Sequence, residues 1–582
     1  MRNSLYSSLL FLLIFLSFGL QAATQPTFSI EALTPTVLKI PNNGEYEAQY
    51  QVTNNTKISR TLTIVPIDNI PIVSSGSNSC QIPFVLAPQQ SCTLTLNLIG
   101  NQLGNGIVWP KICKVNYNNQ NPDPFLCSQS SFSDTLNISI VEPAIQTAAG
   151  VQGTTAPYAP LLMQSTNGGN DWEVVTLGSE PTGGQFFNTT CKGSGSSAFC
   201  LAAGGMPDGV LPYTVPPFIT QSSDGGATWA SKTISNAPAL GNLYGADCNE
   251  NAQLCVGVGD EIIYSGATIT QTPPLVVQTL DYGANWAVKS LSGSVPTNAS
   301  FISASCLNQY CVGSGQIASS AGDLASKTNN PFLAQTVNGG GTWSVVSVPG
   351  APEFGYFYHV NCTENNGNIL CATVGQNYDN TTPTVAQTTN GGADWSMVSV
   401  PLDSPGTGYL NDIHCSGSIC VGVGASITDS STYLPLLFQT VDGGANWSVI
   451  DIDGIEAITN GMLYTVHCTG SGTDTICISG GANYVTEKPV LVQTINGGTT
   501  WSVVSISGAP LGFFNTVSCT GQGPTAVCNA VGEDDTAGLS SPVPLIAQST
   551  NGGALWSILD TASLPNIPGQ GVLYWSAATG GE

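Results

Sequence analysis

Charged side chains are scarce in this chain, and basic ones are the scarcest. Asp, Glu, Lys and Arg make up only 8% of the 582 residues, and 11 Lys and Arg are outnumbered by 36 Asp and Glu, for a formal net charge of −25. Nucleic acids and anionic membrane surfaces select for basic patches, so neither is an expected partner. The acidic balance permits cationic partners or calcium without requiring them.

Long apolar runs are also missing after residue 23. No stretch of this part of the chain reaches the roughly 20 apolar residues that a membrane helix needs. Residues 1–23 have the pattern of a secretory signal peptide, with Arg2 before an apolar stretch and small residues, Ala22 and Ala23, at its exit. No Cys stands at that exit, so a lipid anchor is not expected. We predict an exported protein, periplasmic or extracellular, without a membrane span.

Motifs of common catalytic sites are absent: the chain has no Gly-rich phosphate loop, no nucleophile elbow and no HExxH. What it contains instead is an eightfold box of the form Gln-Ser/Thr-x-Asn/Asp-Gly/Tyr-Gly-x-x-Trp. Successive box Trp residues are 57, 57, 57, 52, 52, 54 and 55 residues apart. A period of this length is typical of a solenoid, a propeller or an array. The conserved positions of the boxes are Ser165, Asn167, Trp172, Ser222, Asp224, Trp229, Thr279, Asp281, Trp286, Thr336, Asn338, Trp343, Thr388, Asn390, Trp395, Thr440, Asp442, Trp447, Thr494, Asn496, Trp501, Ser549, Asn551 and Trp556.

Each repeat has four apolar, strand-like segments, which predicts an all-β propeller of eight four-stranded blades over residues 144–582. The first box has only two such segments before it, and the last box is followed by one extra, residues 571–580. We therefore expect the C-terminal strand to complete a blade begun at the N-terminal side. That closure would remove the exposed sheet edges of an open array.

Residues 24–142 lack the repeat and alternate in strand fashion between turn-rich joints, which predicts an immunoglobulin-like β-sandwich. The segment from Cys80 to Cys92 resembles that of small sandwich modules in exported proteins of Gram-negative bacteria. Four cysteines in this part allow three connectivities, and proximity favours Cys80–Cys92 and Cys113–Cys127.

Seven more cysteine pairs lie between consecutive boxes, separated by 8, 6, 4, 8, 4, 8 and 8 residues. Even separations suit partners that face each other across a hairpin, and a zinc site would need two such pairs together. Disulfides are therefore favoured over metal, in agreement with export. The predicted pairs are Cys191–Cys200, Cys248–Cys255, Cys306–Cys311, Cys362–Cys371, Cys415–Cys420, Cys468–Cys477 and Cys519–Cys528. An eighth pair would fall at Ala578 and about Gln146, and neither is Cys.

The box resembles the Asp-box, or BNR repeat, of sialidases, sortilin-type receptors, some glucan hydrolases and photosystem-assembly propellers. The resemblance covers residues 164–556 and implies a turn between the third and fourth strands of each blade. There the short Asp or Asn side chain would bond nearby backbone and Trp would pack the corner. A calcium site is the functional alternative, but five boxes carry Asn, which weakens a hard-cation site and favours the structural interpretation. The Gln that opens every box is expected to satisfy backbone groups.

Enzyme chemistry can be tested against the residues present. Sialidases hold the substrate carboxylate with three arginines, and this chain has no Arg after Arg60, which excludes sialidase activity. Three histidines, His359, His414 and His467, precede cysteines on predicted innermost strands and could hold a metal, although ordinary strand histidines are the favoured interpretation. Paired carboxylates for glycoside hydrolysis remain possible. The acids noted for that role are Asp260, Glu261, Asp403, Asp412, Glu533, Asp534 and Asp535.

The loops between strands 2 and 3 of each blade vary most, and with the 4–1 connections they would share one face. We predict a ligand-binding surface there, built from Tyr213, Tyr264, Tyr378, Tyr433 and Tyr484, although these could equally be loop-packing aromatics. The favoured interpretation is a monomeric, cofactor-free, non-catalytic scaffold that binds a protein or a glycan, and hence not an enzyme. The alternative is an extracellular glycoside hydrolase that uses paired loop carboxylates.

Overall fold

The computed structural model describes residues 26–74, 78–116, 121–153, 158–177, 183–206, 215–323, 326–402, 406–429 and 431–580. The predicted signal peptide, Asp403 and Tyr213 lie outside these residues. The chain divides into two compact units, Met1–Leu38 with Glu45–Ser139, and Lys39–Gly44 with Ile140–Glu582. The prediction of an all-β chain is confirmed, because the helices of the described residues are short 3₁₀ turns. Those turns are Gly100–Gln102, Gly195–Ser197, Ile455–Ala457, Gly472–Asp474, Gly523–Thr525 and Thr561–Ser563.

Eleven described strands precede residue 142, and most of them form two four-stranded sheets, β1–β3–β7–β5 and β10–β9–β4–β6, while β2, β11 and β8 form a third. In β3 the side chains of Ala48, Tyr50 and Val52 are buried and alternate with more exposed Gln residues, so one face of the strand packs inward. The strands are β1 (Phe28–Ala32), β2 (Val37–Pro41), β3 (Glu45–Asn54), β4 (Arg60–Ile64), β5 (Ile72–Val73), β6 (Phe84–Leu86), β7 (Ser91–Ile99), β8 (Gly106–Val108), β9 (Lys111–Val115), β10 (Pro122–Gln129) and β11 (Leu136–Val141).

The second unit begins with strands of β-branched, small and aromatic residues separated by Gly-rich turns. Its first half contains β12 (Ile145–Gln152), β13 (Ala159–Ser165), β14 (Glu173–Val174), β15 (Gln185–Lys192), β16 (Phe199–Gly205), β17 (Phe218–Ser222), β18 (Ala230–Lys232), β19 (Ile234–Ser235), β20 (Gly241–Cys248), β21 (Cys255–Glu261), β22 (Ile263–Ser265), β23 (Thr268–Gln271), β24 (Pro274–Thr279), β25 (Trp286–Lys289), β26 (Leu291–Ser292), β27 (Ala299–Leu307), β28 (Tyr310–Ile317), β29 (Asn330–Thr336) and β30 (Trp343–Val346).

The second half of this unit continues the same pattern. It contains β31 (Gly355–Asn365), β32 (Asn368–Asn377), β33 (Thr382–Thr388), β34 (Ser396–Val398), β35 (Gly408–Ser416), β36 (Ile419–Ile427), β37 (Tyr433–Thr440), β38 (Ser448–Val449), β39 (Gly461–Thr469), β40 (Ile476–Asn483), β41 (Lys488–Thr494), β42 (Ser502–Val504), β43 (Gly512–Thr520), β44 (Val527–Asp534), β45 (Val543–Ser549), β46 (Ser557–Ile558) and β47 (Gly571–Thr579).

These strands form eight sheets of four or five strands within the described residues, and β22 and β23 form a separate hairpin. Within each sheet the four main strands are antiparallel neighbours; β19 and β26 add a fifth, parallel strand to the sheet that follows them. The sheet orders are β47–β12–β13–β14, β15–β16–β17–β18, β20–β21–β24–β25–β19, β27–β28–β29–β30–β26, β31–β32–β33–β34, β35–β36–β37–β38, β39–β40–β41–β42 and β43–β44–β45–β46.

The first of these sheets combines strands from both ends of the unit. Strand β47 pairs with β12 from Thr579 opposite Ile145 to Gly571 opposite Gln152. We call the strand that stands first in each of these sheet orders the first strand of its sheet. The first strands contact one another in the order β15, β20, β27, β31, β35, β39, β43 and β47, and β47 also contacts β15. The contacts between the first strands of the sheets therefore return to their starting point.

The apolar core lies between neighbouring sheets, and each of eight buried clusters contains one box Trp packed against aliphatic side chains of two sheets. The Nε1–H of every box Trp donates to the Oε1 atom of the Gln that opens the preceding box. The bond from Trp172 to Gln548, 3.2 Å long, joins the first box to the last. A Cβ atom on Gly226 would lie 2.7 Å from Gln164 Oε1, so that box position accepts only Gly.

All eighteen cysteines are paired in nine disulfides, at the positions named from the sequence. In the second unit each disulfide joins directly opposed residues of the first two strands of a sheet, as in Cys415 and Cys420. So many disulfides indicate an oxidising, exported environment. The described residues include no helix long and apolar enough to cross a membrane.

Candidate functional site

A β-bulge recurs at one position in the first strand of all eight sheets, where one residue has no partner on the neighbouring strand. A bulge redirects a side chain, and here the side chains of all eight bulged residues line a single cavity of about 900 Å³. The bulged residues are Phe187, Tyr244, Ile302, Tyr358, Asn411, Tyr464, Asn515 and Tyr574. We call this space the aromatic cavity.

The aromatic cavity combines ring faces with amide and carboxyl groups. Phe187 and Tyr244 are in contact, with ring centroids 4.8 Å apart. Asn411 and Asn515 donate to the backbone carbonyls of Leu463 and Leu573 on the following first strands, at 3.0 and 2.9 Å. Among the residues that the structure describes, those that line the cavity include no Lys and no Arg. Its chemistry therefore suits a neutral, hydroxyl-rich ligand rather than an anion.

Glu533 is the half-buried acid of the cavity wall, at the end of β44 and opposite Phe513 on β43. Burial, with a smaller contribution from the carboxylate of Asp535, raises the pKa of Glu533 to about 7. A carboxyl group with this pKa exchanges its proton near neutral pH, which is the property that acid–base catalysis needs.

His359 and Asp412 form a second titratable group in the same cavity. Asp412 Oδ1 lies 2.7 Å from His359 Nδ1, and the two side chains are only 7% and 13% exposed. Backbone N–H groups of Ile413 and Val466 donate to the two oxygens of Asp412, at 2.7 and 2.8 Å, and Trp575 stacks on the imidazole. Burial lowers the pKa of His359, but the Asp412 carboxylate more than offsets this, so the pKa is raised. Nε2 is therefore the ring nitrogen available for proton exchange.

A deeper layer of side chains precedes the first cysteine of each pair. Asn361 Oδ1, His414 Nδ1 and His467 Nδ1 each accept the backbone N–H of a cysteine on the next sheet, at 2.9, 3.2 and 3.3 Å. The rings of His414 and His467 are 3.9 Å apart. Because Nδ1 accepts a hydrogen bond in both rings, the neutral rings carry their hydrogen on Nε2, and a metal at Nε2 would require the opposite tautomer. Among the described residues no group of three or more His, Cys, Asp or Glu side chains is arranged to hold a metal ion.

Of the seven acids noted from the sequence, the structure places Asp412 and Glu533 on the wall of the aromatic cavity. Asp260 is buried on β21, Glu261 ends the same strand, and Asp534 and Asp535 follow Glu533. Among the predicted tyrosines, Tyr433 lies within ring contact of Tyr484, with centroids 6.4 Å apart, and Tyr378 contacts Tyr356. Tyr264 lies on β22 in the separate hairpin.

Sequence reasoning missed the eight bulged residues, although a signal for them exists. Each stands four positions before the first cysteine of its repeat, or before Ala578 in the last strand, and each follows a buried Phe or Leu. Aligning the repeats on the cysteines would have isolated a column rich in Tyr, Asn and Phe. The strand pattern alone could not, because a bulge interrupts the alternation from which inward and outward positions are read.

Comparison with known proteins gives structural matches alone. No protein-family model matches the chain, and no curated protein matches it. The Hadza microbial sialidase Hz136 is 9% identical with a TM-score of 0.35, covering 78% of this chain and 96% of the sialidase. The polysaccharide lyase Uly1 is 8% identical with a TM-score of 0.37, covering 71% and 99%. A GH74 xyloglucanase from Xanthomonas campestris is 11% identical with a TM-score of 0.33, covering 72% and 71%.

The expectation that this protein is not an enzyme is contradicted by the comparison. All three of these structures are carbohydrate-active enzymes. The sequence favoured a scaffold because no catalytic motif is contiguous in it. A propeller-type repeat brings side chains of distant strands into one cavity, so a local motif is not required. The non-catalytic interpretation is withdrawn.

Proposed function

We propose that this protein is a glycoside hydrolase that cleaves neutral glycans in the aromatic cavity. The observation that carries the proposal is the presence in the lining of one cavity of Glu533, whose pKa is raised to about 7, and of His359, whose Nδ1 lies 2.7 Å from Asp412 Oδ1 and whose pKa is raised by that carboxylate. Hydrolysis of a glycosidic bond needs an acid to protonate the leaving oxygen and a base to activate water.

The electrostatics support a proposed division of the two roles. Asp412 stabilises the imidazolium of His359, so His359 donates a proton from Nε2 to the departing glycosidic oxygen. Glu533, with a pKa of about 7, is an unusually strong carboxylate base and takes a proton from the attacking water. Proton transfer of this kind contributes about 10²–10⁴-fold to the rate.

The charge of the cavity supports hydrolysis of a neutral chain over elimination from a uronate. A lyase must neutralise the substrate carboxylate before it removes the neighbouring proton. The described residues that line the aromatic cavity include no Lys and no Arg, its histidine, His359, is already paired with Asp412, and the formal net charge of the chain is −25. An anionic sugar would meet unfavourable electrostatics both on approach and in the cavity.

The architecture proposed for this function is an eight-bladed Asp-box propeller over residues 144–582, closed by β47, with an immunoglobulin-like sandwich over 24–142. The circuit of contacts among first strands and the bond from Trp172 to Gln548 support closure. We propose export through the signal peptide of residues 1–23, to the periplasm or outside the cell, which agrees with the nine disulfides.

The test is release of reducing sugar from a panel of neutral and anionic polysaccharides by the oxidised full-length protein. We expect release from at least one neutral polymer and a loss of about 10²-fold or more for Glu533→Gln. The pH profile of kcat/KM should rise through about pH 7 as Glu533 ionises and fall above the raised pKa of His359. His359→Gln should remove the decrease in kcat/KM on the alkaline side of this profile.

Glu364→Gln is the matched control, because Glu364 is an exposed acid of β31 near the disulfide end of its sheet and its change alters net charge equally. No release from any polymer, or equal activity of Glu533→Gln and Glu364→Gln, would overturn the proposal. An unsaturated, ultraviolet-absorbing product would show elimination in place of hydrolysis.

A further inference from the structure

Tyrosine rings form two arms that lead outward from the aromatic cavity. In the first, the cavity-lining Tyr358 contacts Tyr356, which contacts Tyr378, with centroids 5.8 and 5.5 Å apart. The second arm begins at Tyr464, which also lines the cavity and whose hydroxyl lies 2.7 Å from that of Tyr484.

The second arm extends over two sheets. Tyr484 contacts Tyr433, and Tyr433 contacts Tyr409, with centroids 6.4 and 6.5 Å apart. Tyr464 also contacts Phe513, the residue opposite Glu533. The arm thus begins near Glu533, in the cavity that His359 also lines, and passes from the sheet of β39 to the sheet of β35. It brings together two of the tyrosines predicted from the sequence, Tyr433 and Tyr484, with two that were not.

The rings of this arm are partly open to solvent, and they are uncharged. Tyr484 is 38% exposed, and Tyr409, Tyr433 and Tyr464 are half-buried. Burial raises the pKa of Tyr409, Tyr464 and Tyr484, so these phenols stay protonated throughout the physiological range. A series of neutral aromatic faces with hydroxyl edges offers stacking to the apolar faces of sugar rings and hydrogen bonds to their hydroxyl groups.

We propose that the second tyrosine arm, Tyr464, Tyr484, Tyr433 and Tyr409, is a binding site for a polymeric neutral glycan outside the cleavage position. This inference rests on the proposed function, because it identifies the substrate as a long polysaccharide that is cleaved at a bond inside the chain rather than at its end. A terminal sugar would fill the aromatic cavity and leave the arm unused. A polysaccharide whose scissile glycosidic bond lies at Glu533 would extend over the successive tyrosine rings of the arm.

Charge decides which polymers fit. Glu533 lies near Tyr464, and Glu487 stands three residues after Tyr484, next to Lys488 at the start of β41, in a chain whose formal net charge is −25. Carboxylated or sulfated chains would be repelled by this surface, whereas neutral chains gain the stacking contacts without that cost.

The test is affinity electrophoresis of the full-length Glu533→Gln protein in native gels that contain a dissolved polysaccharide. Hydroxyethyl cellulose, galactomannan and soluble β-1,3-glucan serve as neutral probes, and carboxymethyl cellulose and alginate as anionic ones. We expect retardation by at least one neutral polymer and by neither anionic one. Tyr433→Ala and Tyr484→Ala should each weaken that retardation roughly tenfold, while Tyr433→Phe and Tyr484→Phe, which keep the ring, stay within about twofold.

Tyr282→Ala is the matched control, because Tyr282 is 56% exposed at a box turn and belongs to neither arm. Hydrolysis assays separate this inference from the proposed function. Retardation without sugar release leaves the arm as a binding site and overturns the hydrolase. Sugar release with no retardation, or retardation unchanged in both alanine variants, overturns the arm and leaves the hydrolase.

Discussion

At the scale of the residue, the boxes show why Asp and Asn both serve one turn. The Oδ1 atom accepts the backbone N–H four residues on, at 2.9 Å in Asp224 and 3.0 Å in Asn338. Except in the last box, where Leu555 precedes Trp556, the second side-chain atom bonds the residue before Trp, and that residue matches it: Asn285 donates to Asp281, whereas Asp394 accepts from Asn390. The bond from Asn285 is the first of several that lower the pKa of Asp281 to about 2.

This matching predicts the outcome of exchanging Asn for Asp. In Asn390→Asp the new carboxylate would stand against that of Asp394, and we expect a loss of roughly 0.2–0.5 kcal/mol in the free energy of unfolding, smaller at high salt. The control is Asn338→Asp, where the Thr342 hydroxyl can turn from acceptor to donor. Thermal unfolding at low and high salt measures both. An equal change in the free energy of unfolding of the two variants, with equal salt dependence, would contradict the proposed match between the box Asp or Asn and the residue before Trp.

At the scale of the element, each first strand carries three kinds of position that serve different depths. The bulged residue lines the aromatic cavity, and the residue after it is His359 in β31 and Asp412 in β35. In β31, β35 and β39 the residue before the cysteine bonds the neighbouring sheet. In two strands this last residue is histidine. Burial is the first cause that lowers the pKa of both, well below its usual value for His414 and to about 4 for His467.

These two histidines make the stability of the second unit sensitive to acid. When folding lowers the pKa of a histidine, its contribution to the stability of the folded state is fully present above the unfolded pKa of about 6.5. That contribution is lost as the pH falls toward the pKa of the folded state. Protonation of Nδ1 also removes the acceptor for Cys468 and Cys519 N–H. We expect the melting temperature to fall between pH 6.5 and 4.

The double variant His414→Asn with His467→Asn should lessen that fall. Asn361 occupies the equivalent position and makes the same bond through an amide that does not titrate. The comparison is the difference in melting temperature between variant and wild type at each pH, since both retain His359 and all carboxylates. An unchanged difference from pH 7 to 4 would show that the histidines do not couple to folding.

At the scale of the whole molecule, the joint between β12 and β47 differs from its seven counterparts. The registered pair Gln146 and Ala578 occupies the position that a disulfide holds in every other sheet of the second unit. Both amide atoms of Gln146 are buried and lack a hydrogen-bond partner, which costs about 1–3 kcal/mol for such a group. The ends of the unit are thus joined by backbone pairing and by the bond from Trp172 to Gln548.

An eighth disulfide at this joint should stabilise the molecule. Gln146→Cys with Ala578→Cys would link residues near the two ends of the second unit and remove the unpartnered amide. We expect a gain of about 2–4 kcal/mol, seen as a higher melting temperature under oxidising conditions. Gln146→Cys alone is the control for loss of the amide. A free thiol count of two in the oxidised double variant would show that the ends do not meet as described.

Much of the fold could be predicted from the local sequence pattern, because the same box recurs eight times along the chain. The cysteine separations predict hairpins across which Cys191 and Cys200 face each other, and the structure places them opposite one another. Aromatic side chains in variable loops were harder to assign: the sequence indicated Tyr378 but not Tyr356, the tyrosine that its ring contacts. A ring contact between a loop and a strand leaves no periodic trace in the sequence.

His359, Asp412 and Glu533 were each named from the sequence, but their combination in one site was beyond prediction for a physical reason. His359 and Asp412 are 53 residues apart and Glu533 a further 121, and no local rule relates three residues on three different sheets. Their titration depends on burial and on neighbours, so the same Glu is an ordinary surface acid in the sequence and a group with a pKa of about 7 in the fold.

The amino-acid sequence by itself determined the strands, the turns, the disulfide partners and the repeat, because each depends on residues that are close along the chain. Only the tertiary structure decided which side chains share a cavity, which histidine meets which carboxylate, and how the first box bonds to the last. Those contacts arise when sheets pack side by side, and packing brings together residues that the chain keeps apart.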